Sequence, residues 1–407
     1  MARTRQGKPA QVAAAGAKVT QAQPTFFLRT KLLPPRPAPE LLSRPRLSER
    51  LLANLAHPVT LVTANAGSGK TTLVADFLKS NDRRFVWYQL DHTDADPLVF
   101  LGYLSFGIQQ AVPGFGRAMF PYLQEAAGEI SQHPEGAVDI LLNEVLELVD
   151  QQLILVLDDY HHLGPSTAVH AVLDRLLTYL PDVLHVIIIS RELPPISLAR
   201  FRTQSPLSII DRSDLLFTDE EIQKLFRQVF DLELTPHQLA EYRERTHGWI
   251  TALQLVRQVA HRTVSGLREE LAAAPDLTEV LRQSEHDIFD YFAEEVFSDE
   301  AEEVQQLLLR LSLLDRIELD ACTSLFPGLN CSRTLPNLVR RNVFITVASD
   351  GLGEEYRFHP LFQSFLRRRL RSEIGKSAVA AEHRRIAELF LARQNWDQAV
   401  RHLVTAG

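Results

Sequence analysis

The stretch VTLVTANAGSGKTTLVADFLKS, residues 59–80, decides the fold. It opens with a short apolar run rich in β-branched residues, passes through a glycine turn and closes with apolar residues at helical spacing. The turn, ANAGSGKT at 64–71, matches the phosphate-loop pattern except that Ala64 stands at its first glycine. A strand before it and a helix after it is the context in which this pattern carries chemistry. Gly67 and Gly69 let backbone N–H groups turn inward around phosphate oxygens, and the positive end of the following helix faces the same place. Lys70 is placed to reach the β- and γ-phosphates, Thr71 to hold Mg2+ and Thr72 to touch the α-phosphate, with Asn65, Ala66 and Ser68 completing the loop. The expected ligands are ATP or ADP with Mg2+.

Outward from the loop, short apolar runs at 85–90, 153–157 and 184–189 alternate with helical patterns at 98–110, 137–149 and 167–179. A helix at 46–55 precedes the loop. This alternation describes an α/β P-loop NTPase, a parallel sheet flanked by helices. The third run ends in Asp158 and Asp159. An apolar strand ending in two acids is what a metal-assisted phosphate site needs: Asp158 to bind Mg2+ through water, and Asp159 to orient or deprotonate the attacking water. The fourth run leads into Ser190-Arg191. A guanidinium at a strand tip in such a sheet lies where ligands bind and can sense a γ-phosphate. Loop capping by the acid pair and a surface role for Arg191 are the competing readings. Asp91, Asp94 and Asp96 read as caps of the helix after Pro97. Gly375-Lys376-Ser377 follows a helix rather than a strand, so it reads as a helix stop.

After residue 216 strand signals nearly vanish. Thr218 with Glu221 forms a capping box, Thr235-Pro236 starts another helix, and Gly248 separates it from the next. Helices near 299–313, 320–326 and 332–341 precede two short strands at 344–347 and 356–358, the order of a winged helix. His359-Pro360 opens the next helix with His359 at its N-cap. Arg367, Arg368, Arg369 and Arg371 read as a solvated helix end, with contact to DNA phosphates as the sharper alternative. Helical patterns at 381–391 and 396–404 form a pair that cannot bury its own face, so further repeats are expected beyond residue 407.

The 407 residues carry a net charge of −8 and two cysteines, Cys322 and Cys331, in no metal spacing and no disulfide framework. Buried apolar thiols in a reducing cytoplasm are the expectation. The balance of charge argues against a nucleic-acid-coating surface, and no apolar run is long enough to span a bilayer. Residues 1–24 read as a disordered basic tail.

The ordered set LLSRPRLSERLL, VTANAGSGKTTLVADF, WYQLD, LVLDDYHH, SRELPPISLARFR, LLFTDEE, HGWITALQL, FHPLFQSFLRRRL and NWDQAVRHL resembles the STAND class of signalling NTPases. Within it the chain is most similar to MalT-like (LuxR-family) transcription activators, over roughly residues 25–407. The resemblance implies an N-terminal segment (25–57) packing on the nucleotide site, a P-loop ATPase domain (58–215), a helical lid (216–297), a winged-helix domain (298–374) and the start of a TPR-like helical arm (375–407). It also implies a switch: ADP locks a closed monomer, and an inducer on the arm, a small molecule or a protein, favours ATP and self-assembly. Slow hydrolysis resets the state. Residue by residue it assigns Lys70 and Thr71 to the nucleotide, Asp158 and Asp159 to the acidic pair, Arg191 to γ-phosphate sensing and His359 to the ADP β-phosphate. Gly248 matches a lid contact, although Ile250 stands where the wider class carries proline. Arg44 and Arg46 lie in the segment that covers the base. DNA would be bound by a C-terminal domain outside these residues, in the cytoplasm. The competing readings are a turnover ATPase motor and a non-transcriptional STAND scaffold or defence protein.

Overall fold

The computed structural model describes residues 27–35, 41–164, 167–196, 208–229, 233–255, 286–328, 330–349 and 354–407. The basic tail at 1–24 and the hairpin turn at 350–353 lie outside these residues.

Five parallel strands form the central sheet: β1 (Val59–Thr63), β2 (Phe85–Gln89), β3 (Leu153–Asp158), β4 (Leu184–Ser190) and β5 (Ser208–Ile210), in the order β2-β3-β4-β1-β5. β1, β3 and β4 are buried along their whole length, as continuous apolar runs require of strands covered on both faces. One face packs under Phe100, Leu104, Leu141 and Leu173. The other packs under Leu47 and Leu51 of helix Pro45–Asn54 together with Val74 and Phe77 of helix Lys70–Ser80. Thr63 pairs with Ser190 and Gln89 with Asp158, so the C-terminal strand ends are level. That edge carries the phosphate loop, the acid pair and Arg191.

The N-terminal segment straps onto the sheet domain. Phe27 stacks on Phe106 at 5.1 Å between ring centres, and Lys31 lies 2.8 Å from both Asp91 and Asp94. Of the three acids read as caps of the helix after Pro97, Asp96 caps helix Pro97–Ala111, while Asp91 and Asp94 form a capping box on the separate short turn His92–Ala95.

The lid contains helices Asp219–Val229 and Pro236–Thr246 around Phe217, Ile222, Phe226 and Tyr242. Thr218 and Glu221 cap reciprocally, as do Thr235 and Gln238. The winged helix comprises helices Glu302–Leu311, Leu319–Leu325 and Cys331–Arg340. Its sheet of β6 (Ile317–Glu318), β7 (Ile345–Ser349) and β8 (Glu354–Phe358) is ordered β6-β8-β7. An aromatic core of Phe292, Phe344, Phe362 and Phe365 joins it to the end of the lid. Helical residues then run from Pro360 to Ala392, broken at Gly375 with φ 81°, and helix Trp396–Ala406 folds back upon them. The GKS tripeptide thus sits at a break between two helical stretches, away from any strand.

One expectation changes. Cys322 and Cys331 are fully buried as expected, but their sulfurs are joined in a disulfide across a separation of nine residues. The packing of helices Leu319–Leu325 and Cys331–Arg340 brings the two Cα atoms to 6.3 Å, a proximity that sequence spacing alone does not reveal. The basic cluster is exposed on its helix, as the solvated reading has it, and two of its arginines also bind within the protein: Arg367 the Ser312 carbonyl and Asp315, and Arg369 the Glu373 carboxylate.

Candidate nucleotide site

The phosphate loop folds as its glycines dictate. Gly67 and Gly69 have φ of 64° and 79°, the left-handed region open to glycine. Gly69 caps helix Lys70–Ser80 without any side-chain hydrogen bond, so the first-turn N–H groups stay available for an anion. Lys70 is buried and folds back, donating to the carbonyls of Ala64 and Asn65 at 2.9 and 2.8 Å. Burial, then the Arg191 charge, lowers its ammonium to about 8. Thr71 donates to the Asp158 carboxylate at 3.0 Å. Burial and then the neighbouring Asp159 raise Asp158 to about 7. Asp159 is held in a left-handed turn, φ 56°, with Gln89 donating to its carboxylate at 3.4 Å.

A cavity of about 510 Å³ opens over the loop, a size typical of ligand sites. Residues 66–72 floor its phosphate end, Asp159 and Arg191 flank it, and Leu42, Phe217, Leu225 and Ile250, with Arg44 beside them, form a largely apolar wall for a base. The lid closes directly on the loop. Thr251 donates to the Gly67 carbonyl at 2.7 Å, and a Cβ at Gly67 would meet the Thr251 hydroxyl oxygen at 2.3 Å and the Tyr291 hydroxyl at 2.6 Å. The Asn65 side chain is buried with neither amide atom hydrogen-bonded.

These features fit a nucleotide and Mg2+. Orphaned donors converge on a concave glycine backbone, and hard oxygen donors from Thr71 and Asp158 lie side by side. Among the described residues no group of three or more His, Cys, Asp or Glu is placed to hold a metal, so Mg2+ here would depend on phosphate oxygens as well.

The predicted residues do not all converge. Asn65 to Thr72, Asp158, Asp159 and Arg191 share the strand-end edge. Arg46 does not line the cavity; it binds the Asp214 carbonyl at 2.9 Å and lies near Glu221. Arg44 lies on the cavity wall instead. It pairs with Glu221 at 2.8 Å, donates to the carbonyls of Leu215 and Leu216 and stacks over Phe217 at 4.2 Å. Gly248 shapes the lid from behind: its carbonyl accepts from the Phe217 N–H at 2.9 Å, and its neighbours Ile250 and Thr251 face the cavity. His359 occupies the N-cap of its helix, but its side chain caps nothing. It is buried beside His247, Trp249 and Phe344, where neither ring nitrogen makes a well-formed hydrogen bond. Burial, then the charges of Arg212 and His247, lowers it to about 3. Residues 64–71 gave no warning of Thr251, Tyr291 or Glu295, all of which line the cavity from the lid. They are ordinary helix-surface types whose role exists only once the lid is folded down.

A family model for the MalT winged-helix domain matches residues 293–378, which include Glu295, Asn342 and His359. The HTH-type transcriptional regulator MalT of Cronobacter sakazakii is 30% identical over 382 residues, 91% of this chain and 40% of that protein. The chain is MalT-like. The MalT of Serratia proteamaculans is 31% identical over 90% of this chain and 40% of its own length. The MalT-like chain thus spans about 40% of the length of the curated relatives it matches. The Walker-type ATPase of Pyrococcus abyssi aligns over 83% of the MalT-like chain and 99% of its own, with a TM-score of 0.53 and 15% identity, a likeness of fold alone. No helix among the described residues is long and apolar enough to cross a membrane.

Proposed function

We propose that these residues form the nucleotide-binding switch of a cytoplasmic MalT-like transcription regulator. ADP stabilises the closed arrangement through the phosphate loop and, as the resemblance implies, the winged-helix His359, which lies behind the cavity lining here and would have to turn towards the β-phosphate. ATP, with an inducer on the helical arm, favours self-assembly, and slow hydrolysis returns the closed state. DNA is contacted by a domain outside these residues. The proposed units are the ATPase domain (58–215), the lid (216–297), the winged helix (298–374) and the arm from 375, with 25–57 as the strap over the site.

One observation carries this reading. The phosphate loop is touched from the lid at Gly67, and the strand-tip Arg191 is touched from beyond it, its carbonyl accepting from Asn342 at 2.7 Å. A ligand in the cavity therefore meets both halves of the molecule and biases how they sit, by its differential affinity for the two arrangements. In this role Lys70 and the loop N–H groups bind phosphate, Thr71 and Asp158 hold Mg2+, Asp159 orients water and Arg191 faces the γ-phosphate end. Bound Mg2+ would supply charge neutralisation of the phosphates.

Mass spectrometry of the denatured protein is expected to release ADP, and Lys70→Ala is expected to abolish that nucleotide while keeping the melting transition. Equal ATP affinity in Lys70→Ala and the parent would overturn the reading.

A further inference from the structure

Arg191 already has partners. Its guanidinium lies 3.6 Å from the Glu295 carboxylate and 3.7 Å from that of Asp299, and it donates to the Glu295 carbonyl at 3.3 Å. Its backbone is held as well, by Asn342 on the winged helix and by the Arg191 N–H donating to His161 at 3.4 Å. Glu295 sits in a π-helical turn, Ala293–Phe297, where one extra residue per turn re-aims a side chain out of helical register. Arg191, Glu295 and Ala66 line the nucleotide cavity on one side and a smaller cavity of about 140 Å³, towards Asn342 and Phe344, on the other. The arginine–glutamate pair is the partition between them.

This partition discriminates by charge. A diphosphate ends within the loop and leaves the pair intact. A γ-phosphate needs Arg191, and brings its own negative charge towards the Glu295 carboxylate. It binds only by drawing Arg191 away from Glu295 and Asp299, or by accepting their repulsion. The pairs are long, and their acids are half-exposed at 52% and 65%, so each is weak enough for a γ-phosphate with Mg2+ to displace. Displacement frees the residues that lead into the winged helix.

We propose that Glu295, assisted by Asp299, is a specificity-determining residue of this site: by holding Arg191 it makes the closed arrangement prefer a nucleoside diphosphate over a triphosphate. The inference rests on the reading above that nucleotide occupies the cavity with its terminal phosphate towards Arg191.

The test is calorimetric titration of the nucleotide-stripped chain with ADP and with a non-hydrolysable ATP analogue, each with Mg2+, in the parent, Glu295→Gln and Asp299→Asn. The ratio of triphosphate to diphosphate Kd is expected to fall about fivefold in Glu295→Gln, and by less in the same direction in Asp299→Asn. A merely structural role would weaken both nucleotides together and leave the ratio unchanged. Retained binding with a ratio within twofold of the parent in both variants overturns this inference alone. No binding of either nucleotide by the parent overturns the functional reading and this inference with it.

Discussion

Replacing Gly248 by alanine should unseat the lid. Gly248 has φ 76°, and an added Cβ would lie 2.5 Å from the Phe217 carbonyl oxygen and 3.0 Å from the Phe217 nitrogen. These are backbone atoms, so no flexible side chain can yield. Phe217 would have to retreat by nearly an ångström, yet its carbonyl also accepts from Arg243 at 2.9 Å and its ring lies under Arg44. The left-handed conformation costs an alanine about 1–2 kcal/mol. Bending the hydrogen bond from the Phe217 N–H to the Gly248 carbonyl adds about 1 kcal/mol. Together this is about 2–3 kcal/mol, which lowers the melting temperature of a unit of this size by roughly 4–12 °C. Phe217, Leu225 and Ile250 line the base end of the cavity, so ADP affinity should fall at least about tenfold, near 1.4 kcal/mol, in the same variant. The assay is a thermal melt with a parallel titration of ADP. Gly128→Ala is the control, since a Cβ there meets nothing within 4 Å. A melting temperature within 2 °C of the parent (on the order of 0.5 kcal/mol) together with unchanged ADP affinity would refute the claim that this contact seats the lid.

Acid should destabilise the protein through its buried histidines. Burial holds His185 down to about 4 and His359 to about 3, so both stay neutral in the folded chain. The unfolded chain takes up their protons below about 6.5, so this stability is fully present above that pH and is lost on acidification, at about 1.4 kcal/mol per pH unit for each group. Asp158, raised to about 7, binds its proton in the folded chain and works in the opposite sense between its ordinary value and 7. Melts at pH 7 and pH 5 should therefore differ, and Asp158→Asn should steepen the loss; a flat profile contradicts both. Asp158→Asn should also abolish the Mg2+ dependence of ATP binding while leaving Mg2+-free ADP binding within about threefold (0.7 kcal/mol), read by titration with and without chelator. Reduction of the Cys322–Cys331 disulfide should lower the stability of the winged helix by about 2–3 kcal/mol on loop-closure grounds. Melts with and without reductant, alongside a thiol count of the unfolded protein, check this; identical melts with both thiols free would count against it.

The sheet domain was legible because its elements are marked locally. β1 is observed at the residues read as a strand, and β3 and β4 extend one residue beyond theirs, since continuous apolar runs bounded by loops have few other solutions. β5 and β6 escaped notice because three and two residues are too short to show alternation. The phosphate loop, Asp158 and Arg191 could be read one at a time because each sits at a strand end. What could not be read is which side chains the lid brings over them. Arg44 and Arg46 lie two residues apart at the start of one helix, about 200° around its axis, and only tertiary packing decides that Arg44 faces inward. The disulfide likewise depends on the packing of two helices that spacing does not encode.

The strand order bears on how such a site can be tuned. β4 lies between β1 and β3 and is hydrogen-bonded to both, Thr63 facing Ser190 on one side and Leu157 facing Ile188 on the other. Sliding β4 by one residue would invert every side chain along it, turning Ile187 and Ile189 towards the opposite core. The height of Arg191 above the phosphate loop is consequently quantised by the pleat, and the ATPase domain has no small adjustment to offer. Adjustment of the surroundings of Arg191 has to come from whatever is laid against it, and in this molecule that is the lid and the winged helix.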